Sequence, residues 1–370
     1  MKKTLIIYFS FISILIAFIW TVVFVRTNSA KYLKKNIYEQ WRTAFLVTNK
    51  NQAYIQTNNS QHKVTVLSEG QGYGLLLTVK AAKNGYASQP DFNRLFNYYL
   101  KNRDEGTQLM SWKQVISKKR TVKFKNNATD GDLYIAYSLL QAAKIWPQSA
   151  ALYRKQANKL LSDILKYDYN TATGCLTVGN WATGSDKYSN LLRTSDTLPA
   201  QFDEFYRFTD DPTWLTIKKS MLQQLQRLSA QYATGLLPDF AWIKHDGKVV
   251  AAKAQSVSVK YRDDGYYSYN ACRLPYNLAQ SKDKHAQLVL RKMMKFFMKQ
   301  EYITGGYQLN GKKLNDYQSA SFAAPILYAA MQNSQFYKLV QQEKYIFMQK
   351  VDPTNYYQAT IVTLTAIAGL

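Results

Sequence analysis

The stretch DLYIAYSLLQAAKIW, residues 132–146, is apolar on two helical faces at once: Leu133, Ala136 and Leu140 form one, and Ile135, Leu139, Ala142 and Trp146 another. A helix with two apolar faces needs neighbours on both sides. Amphipathic or doubly apolar stretches recur at about 32–49, 69–83, 91–101, 129–146, 149–167, 196–208, 211–232, 272–281, 284–298, 317–332, 335–349 and 354–369, which is a dozen helices. Sixteen glycines and eight prolines in 370 residues are about half of average usage, which argues against a turn-rich β sandwich. The pattern predicts an all-α chain in which an inner layer of helices is enclosed by an outer one. The polar connections, such as TATGCLTVGNWATGSDKYSN and DGKVVAAKAQSVSVKYRDDGYYSYN, are too long for simple turns and are the places to look for a site.

Residues 4–25, TLIIYFSFISILIAFIWTVVFV, carry no charge and are long enough to cross a bilayer as a helix. The run leaves through Val25, Arg26, Thr27 and Asn28 without a small-x-small cleavage site, so an uncleaved anchor is expected. The organisation read from composition is an anchor at 1–26, a basic stalk at 27–40 and one large domain at 41–370. Arg26, Lys31, Lys34 and Lys35 outnumber Lys2 and Lys3, which by the positive-inside rule would hold the large domain in the cytoplasm. The chemistry derived below favours a single-pass membrane protein with that domain outside the cell.

The formal net charge is +24, so an anionic partner is expected: anionic lipid or an acidic cell-surface polymer. The cationic residues are spread along the chain and no nucleic-acid-binding motif accompanies them, which argues against nucleic acid. Cys175 and Cys272 stand far apart and the three histidines have no metal-ligand spacing, so neither a metal nor a cofactor is expected. Two buried free thiols are the plainer reading of the cysteines, with a Cys175–Cys272 disulfide the alternative.

SEGQGYGLLL, residues 68–77, sets Glu69 among three glycines at the start of a helix, after the strand-like KVTVL. Locally, Ser68 and Gln71 fit an S-x-x-Q capping box and Glu69 would only favour the helix dipole. A dinucleotide fingerprint from Gly70 and Gly72 fails because position 75 is Leu. The second cluster, ATDGDLYIAYSLLQAAKIW at 128–146, opens another doubly apolar helix with Asp130 and Asp132 around a glycine. Helix dipole and backbone donors would keep Asp130 ionised, while Glu69 beside groups such as Tyr73 would keep its proton to higher pH. Carboxyls with separated pKa values suit hydrolysis of a glycosidic bond, where one acid protonates the leaving oxygen.

In these segments the chain resembles family 8 glycoside hydrolases. ATDGDLYIAYSLLQAAKIW fits the family signature over its length, SEGQGYGLLL matches the segment with the proton donor, and LMSWK, RTSD, GLLPDF and YNACRLPY follow in the family's order. The resemblance implies an (α/α)6 barrel of six inner and six outer helices, inversion at the anomeric carbon, no metal, and an open cleft for β-1,4-linked chains. It implies Glu69 as general acid and Asp130 as the signature carboxylate, labelled catalytic and also placed to hold the sugar. Trp112 and Trp181 resemble sugar-stacking platforms, against the alternative of plain core tryptophans. Tyr269 and Arg273 resemble cleft residues that bond the sugar and the catalytic carboxylate. Many members carry Asp as general base where this chain has Asn270, and an amide cannot take that proton. The neighbouring loop offers Asp263 and Asp264; Asp264 is the candidate base, against its reading as a turn-forming Asp-Gly pair.

The function expected is therefore a membrane-anchored, endo-acting, inverting hydrolase of a β-1,4-linked polysaccharide, a self-produced exopolysaccharide or cell-surface glycan. The alternative, motivated by Asn270, is an inactive glycan-binding or polysaccharide-assembly protein on the same scaffold.

Overall fold

The structure, a computed structural model, describes residues 2–58, 60, 62–185, 187–257 and 262–370. Helix α1 (Lys2–Phe45) leads into a hairpin of β1 (Leu46–Thr48) and β2 (Ala53–Ile55), and β3 (Lys63–Leu67) runs straight into α2 (Ser68–Lys83) and α3 (Gln89–Lys101). β4 (Lys113–Ser117) and β5 (Thr121–Lys123) add to β3 as an antiparallel sheet, ordered β3-β4-β5, before α4 (Thr129–Ile145) and α5 (Ala150–Tyr167). The short pair β6 (Tyr169–Asn170) and β7 (Cys175–Leu176) precedes β8 (Leu191–Arg193), α6 (Pro199–Thr209) and α7 (Thr213–Ala230). β9 (Phe240–Ile243) pairs with both β8 and β10 (Val249–Ala251). The chain closes with α8 (Leu274–Ala279), α9 (Lys284–Phe297), α10 (Ala320–Met331), α11 (Tyr337–Glu343) and α12 (Tyr356–Gly369).

The even-numbered helices touch in the order α2, α4, α6, α8, α10, α12, and α12 closes back onto α2. Outside them α3, α5, α7, α9 and α11 each pack on the helix before, and the end of α1 takes the sixth outer place against α12 and α2. This is the (α/α)6 double ring. Burial follows the same division, since α2, α4, α10 and α12 bury residues all around their circumference. Outer helix α9 instead buries one stripe, Ala286, Val289, Leu290, Met293, Met294 and Phe297, at spacings of three and four. Outer helices also carry the local start signals: Ser88 and Asp91 form a capping box on α3, and Asp283 accepts from His285 N and Ala286 N on α9.

The helix starts of α2 and α4 approach so closely that side chains are excluded between them. A Cβ on Gly131 would lie 2.8 Å from Glu69 N, and one on Gly72 would lie 2.8 Å from Gly131 O. The glycines in SEGQGYG and TDGD are thus what allows Glu69 and Asp130 to stand side by side.

Several expectations change in detail. The stretch 27–40, read as a stalk, is helical throughout, and Ile37, Tyr38, Trp41 and Phe45 are buried in the barrel core, so the last turns of α1 belong to the ring. The capping box on α2 is absent: Leu67 is the N-cap and no side chain caps it. Gln71 is buried and instead bonds Ile55 N, Ala53 O and Leu95 O, tying the β2 hairpin and α3 to α2. The helix expected at 335–349 is α-helical only over Tyr337–Glu343, with 3-10 turns on either side. Both cysteines are buried free thiols.

α1 also fixes a direction. Phe45 meets Tyr356, at the start of α12, edge-on at 5.9 Å, whereas the Lys31 carbonyl accepts from Tyr86, just past the end of α2, at 3.1 Å. The start of α2 and the end of α1 therefore share one face of the barrel, and the apolar part of α1 projects from the opposite face. Residues 8–25 are exposed along that projection.

Candidate active site

Glu69 and Asp130 are bridged by one nitrogen: Arg273 Nη1 lies 3.4 Å from Glu69 Oε2 and 3.2 Å from Asp130 Oδ2. Arg273 is itself buried and its remaining donors are all used. Nη2 donates to Ser195 Oγ at 2.7 Å and to Asn270 Oδ1 at 3.1 Å, and Nε donates to the Asn270 carbonyl at 3.3 Å. A second guanidinium, Arg193, sits 2.7 Å from Asp130 Oδ2 and 3.6 Å from Asp196 Oδ1. Arg193 ends β8 and Asp196 lies in the turn after it, so the RTSD segment brings both into the cluster.

The two carboxyls are polarised in opposite senses. Burial raises the pKa of Glu69 to about 7, more than Arg273 lowers it, and the charge of Asp130 adds to the rise. Burial also acts against ionisation of Asp130, but Arg193 and then Arg273 outweigh it and hold that carboxyl below its ordinary range. Arg193 and Arg273, which no helix periodicity marked in the sequence, hold Asp130 ionised. The Glu69 side chain keeps 20% exposure while that of Asp130 keeps 4%, so of the pair Glu69 is the one that reaches solvent.

Trp112, Trp181 and Tyr269 are 39%, 40% and 43% exposed, which rules out the plain core reading for the two tryptophans. Trp112 borders Glu69, its carbonyl accepting from Ser68 N at 3.0 Å. Trp181 follows the segment that docks on the start of α4, where Thr129 N donates to Val178 O and Asn180 N donates to Asn127 Oδ1 at 2.7 Å. Tyr269 presents its hydroxyl to that of Tyr317 at 3.0 Å and leans edge-on against Phe322. Aromatic surface thus flanks both helix starts.

Asn270 is locked. Its Oδ1 accepts from Arg273, and its Nδ2 donates to Asp239 Oδ2 at 3.2 Å. Asp239, from GLLPDF, also accepts from Ser268 N, Asn270 N and Ala271 N. Burial nevertheless raises Asp239 to about 6. Asp264 does not share a hydrogen bond or ion pair with Glu69, Asp130 or Arg273 among the described residues. It is 2% exposed, and its Oδ2 accepts from Val257 N at 2.9 Å. Asp132 points away from Glu69: it accepts from Met110 N at 2.8 Å and from Asn127 Nδ2 at 2.9 Å, which pins the loop carrying Trp112 to α4. Arg193, Asp196 and Asp239 were not singled out from sequence; RTSD and GLLPDF were legible only as ordered motifs.

The sequence pattern of glycosyl hydrolases family 8 matches residues 12–368. A beta-glucanase of Niallia circulans is 30% identical over 311 residues, covering 80% of this chain and 74% of that protein. An endoglucanase of Bacillus sp. strain KSM-330 is 30% identical over 321 residues, covering 81% and 68%. The apo structure of a beta-1,3-1,4-glucanase from Paenibacillus sp. X4 superposes with a TM-score of 0.84 at 28% identity, covering 92% of each chain. Together with the double ring, these likenesses establish that the chain belongs to glycosyl hydrolases family 8 and is a glycoside hydrolase acting on O-glycosyl bonds.

Proposed function

We propose that the chain is an endo-acting, inverting hydrolase of a β-1,4-linked polysaccharide, with Glu69 as its general acid. The observation that carries this is the pair of carboxyls joined through Arg273 Nη1, one kept protonated near neutrality and one kept ionised. Glu69 gives its proton to the bridging oxygen as the C1–O bond breaks. Asp130, fixed by two arginines, accepts hydroxyl donors of the sugar and faces the positive charge that develops on the ring. Trp112, Trp181 and Tyr269 offer faces for the pyranose rings, and Arg273 sets the spacing of the two carboxyls.

Inversion requires a base that takes a proton from water on the ring face opposite Glu69. The locked amide of Asn270 cannot do this. Asp264 is assigned the role, supported by its burial-raised pKa and by its place beside β9, where its carbonyl accepts from Phe240 N. The role requires release of the Val257 N–H bond. Asp264→Asn separates the alternatives: a base loses kcat by about 10²-fold or more with azide restoring turnover, whereas a loop-holding residue loses thermal stability and azide restores nothing.

The exposed apolar part of α1 supports a membrane anchor, with the hydrolase domain outside the cell, where such polymers lie. Tethering suits a polymer made by the same cell, an exopolysaccharide or surface glycan. The full chain in neutral detergent should release new reducing ends from β-glucans, with the first-formed anomer inverted by NMR, and Glu69→Gln should abolish release.

A further inference from the structure

β4 and β5 form a hairpin beside the start of α2 that is cationic along its length. Residues 111–129 contain no Asp or Glu but carry Lys113, Lys118, Lys119, Arg120, Lys123 and Lys125. The hairpin is tied to the site through its backbone: Lys113 pairs with Leu67 immediately before α2, and Trp112 O accepts from Ser68 N. Lys113 Nζ lies over the exposed rings of Trp112 and Phe124, at 5.6 Å and 5.3 Å, and Lys123 is occupied by the Arg103 carbonyl. Lys118, Lys119, Arg120 and Lys125 are exposed and have no ion-pair partner among the described residues. The turn opposite Lys63 lies four residues along the strand from Lys113, about 14 Å, so the free charges stand beyond the aromatic platform and not on the reacting atoms.

This charge faces away from the lipid. The hairpin belongs to the face formed by the start of α2, and α1 leaves the barrel from the opposite face. An anionic membrane that holds α1 cannot be its partner. We propose that the β4–β5 hairpin recognises acidic substituents on the polysaccharide, so that the polymer entering beside Trp112 is an anionic one, bearing carboxylate or comparable groups; this rests on the hydrolase reading above and names its substrate class. A cationic polymer such as chitosan is disfavoured by the same charges.

The test uses two polymers with one backbone, carboxymethyl cellulose and neutral hydroxyethyl cellulose, and the full chain in neutral detergent carrying Glu69→Gln so that binding is read without cutting. Adding Lys118→Gln, Lys119→Gln and Arg120→Gln should weaken retention in carboxymethyl cellulose affinity gels about tenfold and leave hydroxyethyl cellulose retention unchanged. The control triple Arg154→Gln, Lys155→Gln and Lys159→Gln, exposed on outer helix α5, should leave both unchanged. Raising NaCl to about 1 M, where screening acts within about 3 Å, should reproduce the hairpin variant's loss. With Glu69 intact, the hairpin triple should raise KM for carboxymethyl cellulose and spare kcat. Equal weakening by both triples, or no preference of the parent protein for the charged polymer, would overturn the proposal. Charge-dependent retention with no cutting of either polymer would uphold the hairpin's role and sink the proposed β-1,4-linked glucan backbone of the substrate.

Discussion

Two inner helices of this barrel, α2 and α4, begin in nearly the same way: an acid beside a glycine, an N-cap without a side-chain bond, a first turn buried against its neighbour. Their acids nevertheless behave oppositely, Glu69 rising to about 7 and Asp130 falling below its usual range. Helix dipoles cannot separate them, since both acids sit at the positive end of one. The difference is the number and closeness of guanidinium groups. Asp130 has Arg193 at 2.7 Å and Arg273 at 3.2 Å, while among the described residues Glu69 has an ion-pair contact with Arg273 alone, at 3.4 Å. An acid and a permanent anion are made from the same local motif by where two arginines from distant segments come to rest.

The largest effect expected from breaking this asymmetry is on the proton itself. Glu69→Gln should lower kcat on polysaccharide by about 10³-fold or more, while an aryl glycoside with a good leaving group, needing no protonation, should fall by about tenfold or less. In the unaltered enzyme kcat/KM should decline as pH rises through about 7, where Glu69 loses its proton. A rate profile flat to pH 9 would exclude Glu69 as the acid.

Asp130→Asn should come next, at about 10²-fold in kcat, and its pH profile is the sharper reading. Asp130 adds to the rise that burial gives Glu69, so its removal leaves burial alone to oppose Arg273 and Arg193. The alkaline limb should move to lower pH. An unmoved limb would mean that the two carboxyls are not electrically linked, whatever the loss of rate.

A smaller effect is expected from geometry alone. Gly131→Ala places a methyl 2.8 Å from Glu69 N and 2.7 Å from Ser68 C, both backbone atoms that cannot swing aside. The helix starts must separate, and the expected outcome is a lowered Tm from overpacking of about 1–3 kcal/mol together with a rate loss through misplacement of Glu69. Unchanged melting and kinetics would show that close approach of α2 and α4 does not set the spacing of the pair.

These contrasts also mark what could be read from the chain. The double ring was legible because two-faced apolarity in stretches such as 132–146 has few packing solutions, and Glu69 and Asp130 were legible because both open such helices. Arg193 and Asp196 were not, since they lie at a strand end and a short turn with no periodicity to place them. The role of Gln71 was misread for a related reason: Ser68 and Gln71 have capping-box spacing, but a buried amide is claimed by the backbone of Ala53, Ile55 and Leu95 before it can serve its own helix. Composition changes after Val25, which suggested a stalk, yet helix continuity depends on the backbone, and α1 runs on to Phe45.

The smallest effect concerns stability. Glu69 has a folded pKa of about 7 against an ordinary 4.5, so folding favours its neutral form. That contribution is fully present below pH 4.5, declines as pH rises, and is lost above about 7, where the folded chain must hold a largely desolvated anion. Glutamine does not titrate. The Tm of Glu69→Gln minus that of the unaltered protein should therefore grow more positive from pH 4.5 to 7 and level off above 8. Asp168 and Asp239, also raised by burial, titrate in both proteins and drop out of the difference, whereas Asp196, raised to about 7 by burial and in part by the charge of Glu69, titrates in the same window and shifts with the substitution. A difference that stays constant across that window would place the Glu69 carboxyl in ordinary solvent contact, and would remove the contrast with Asp130 on which its role as acid depends.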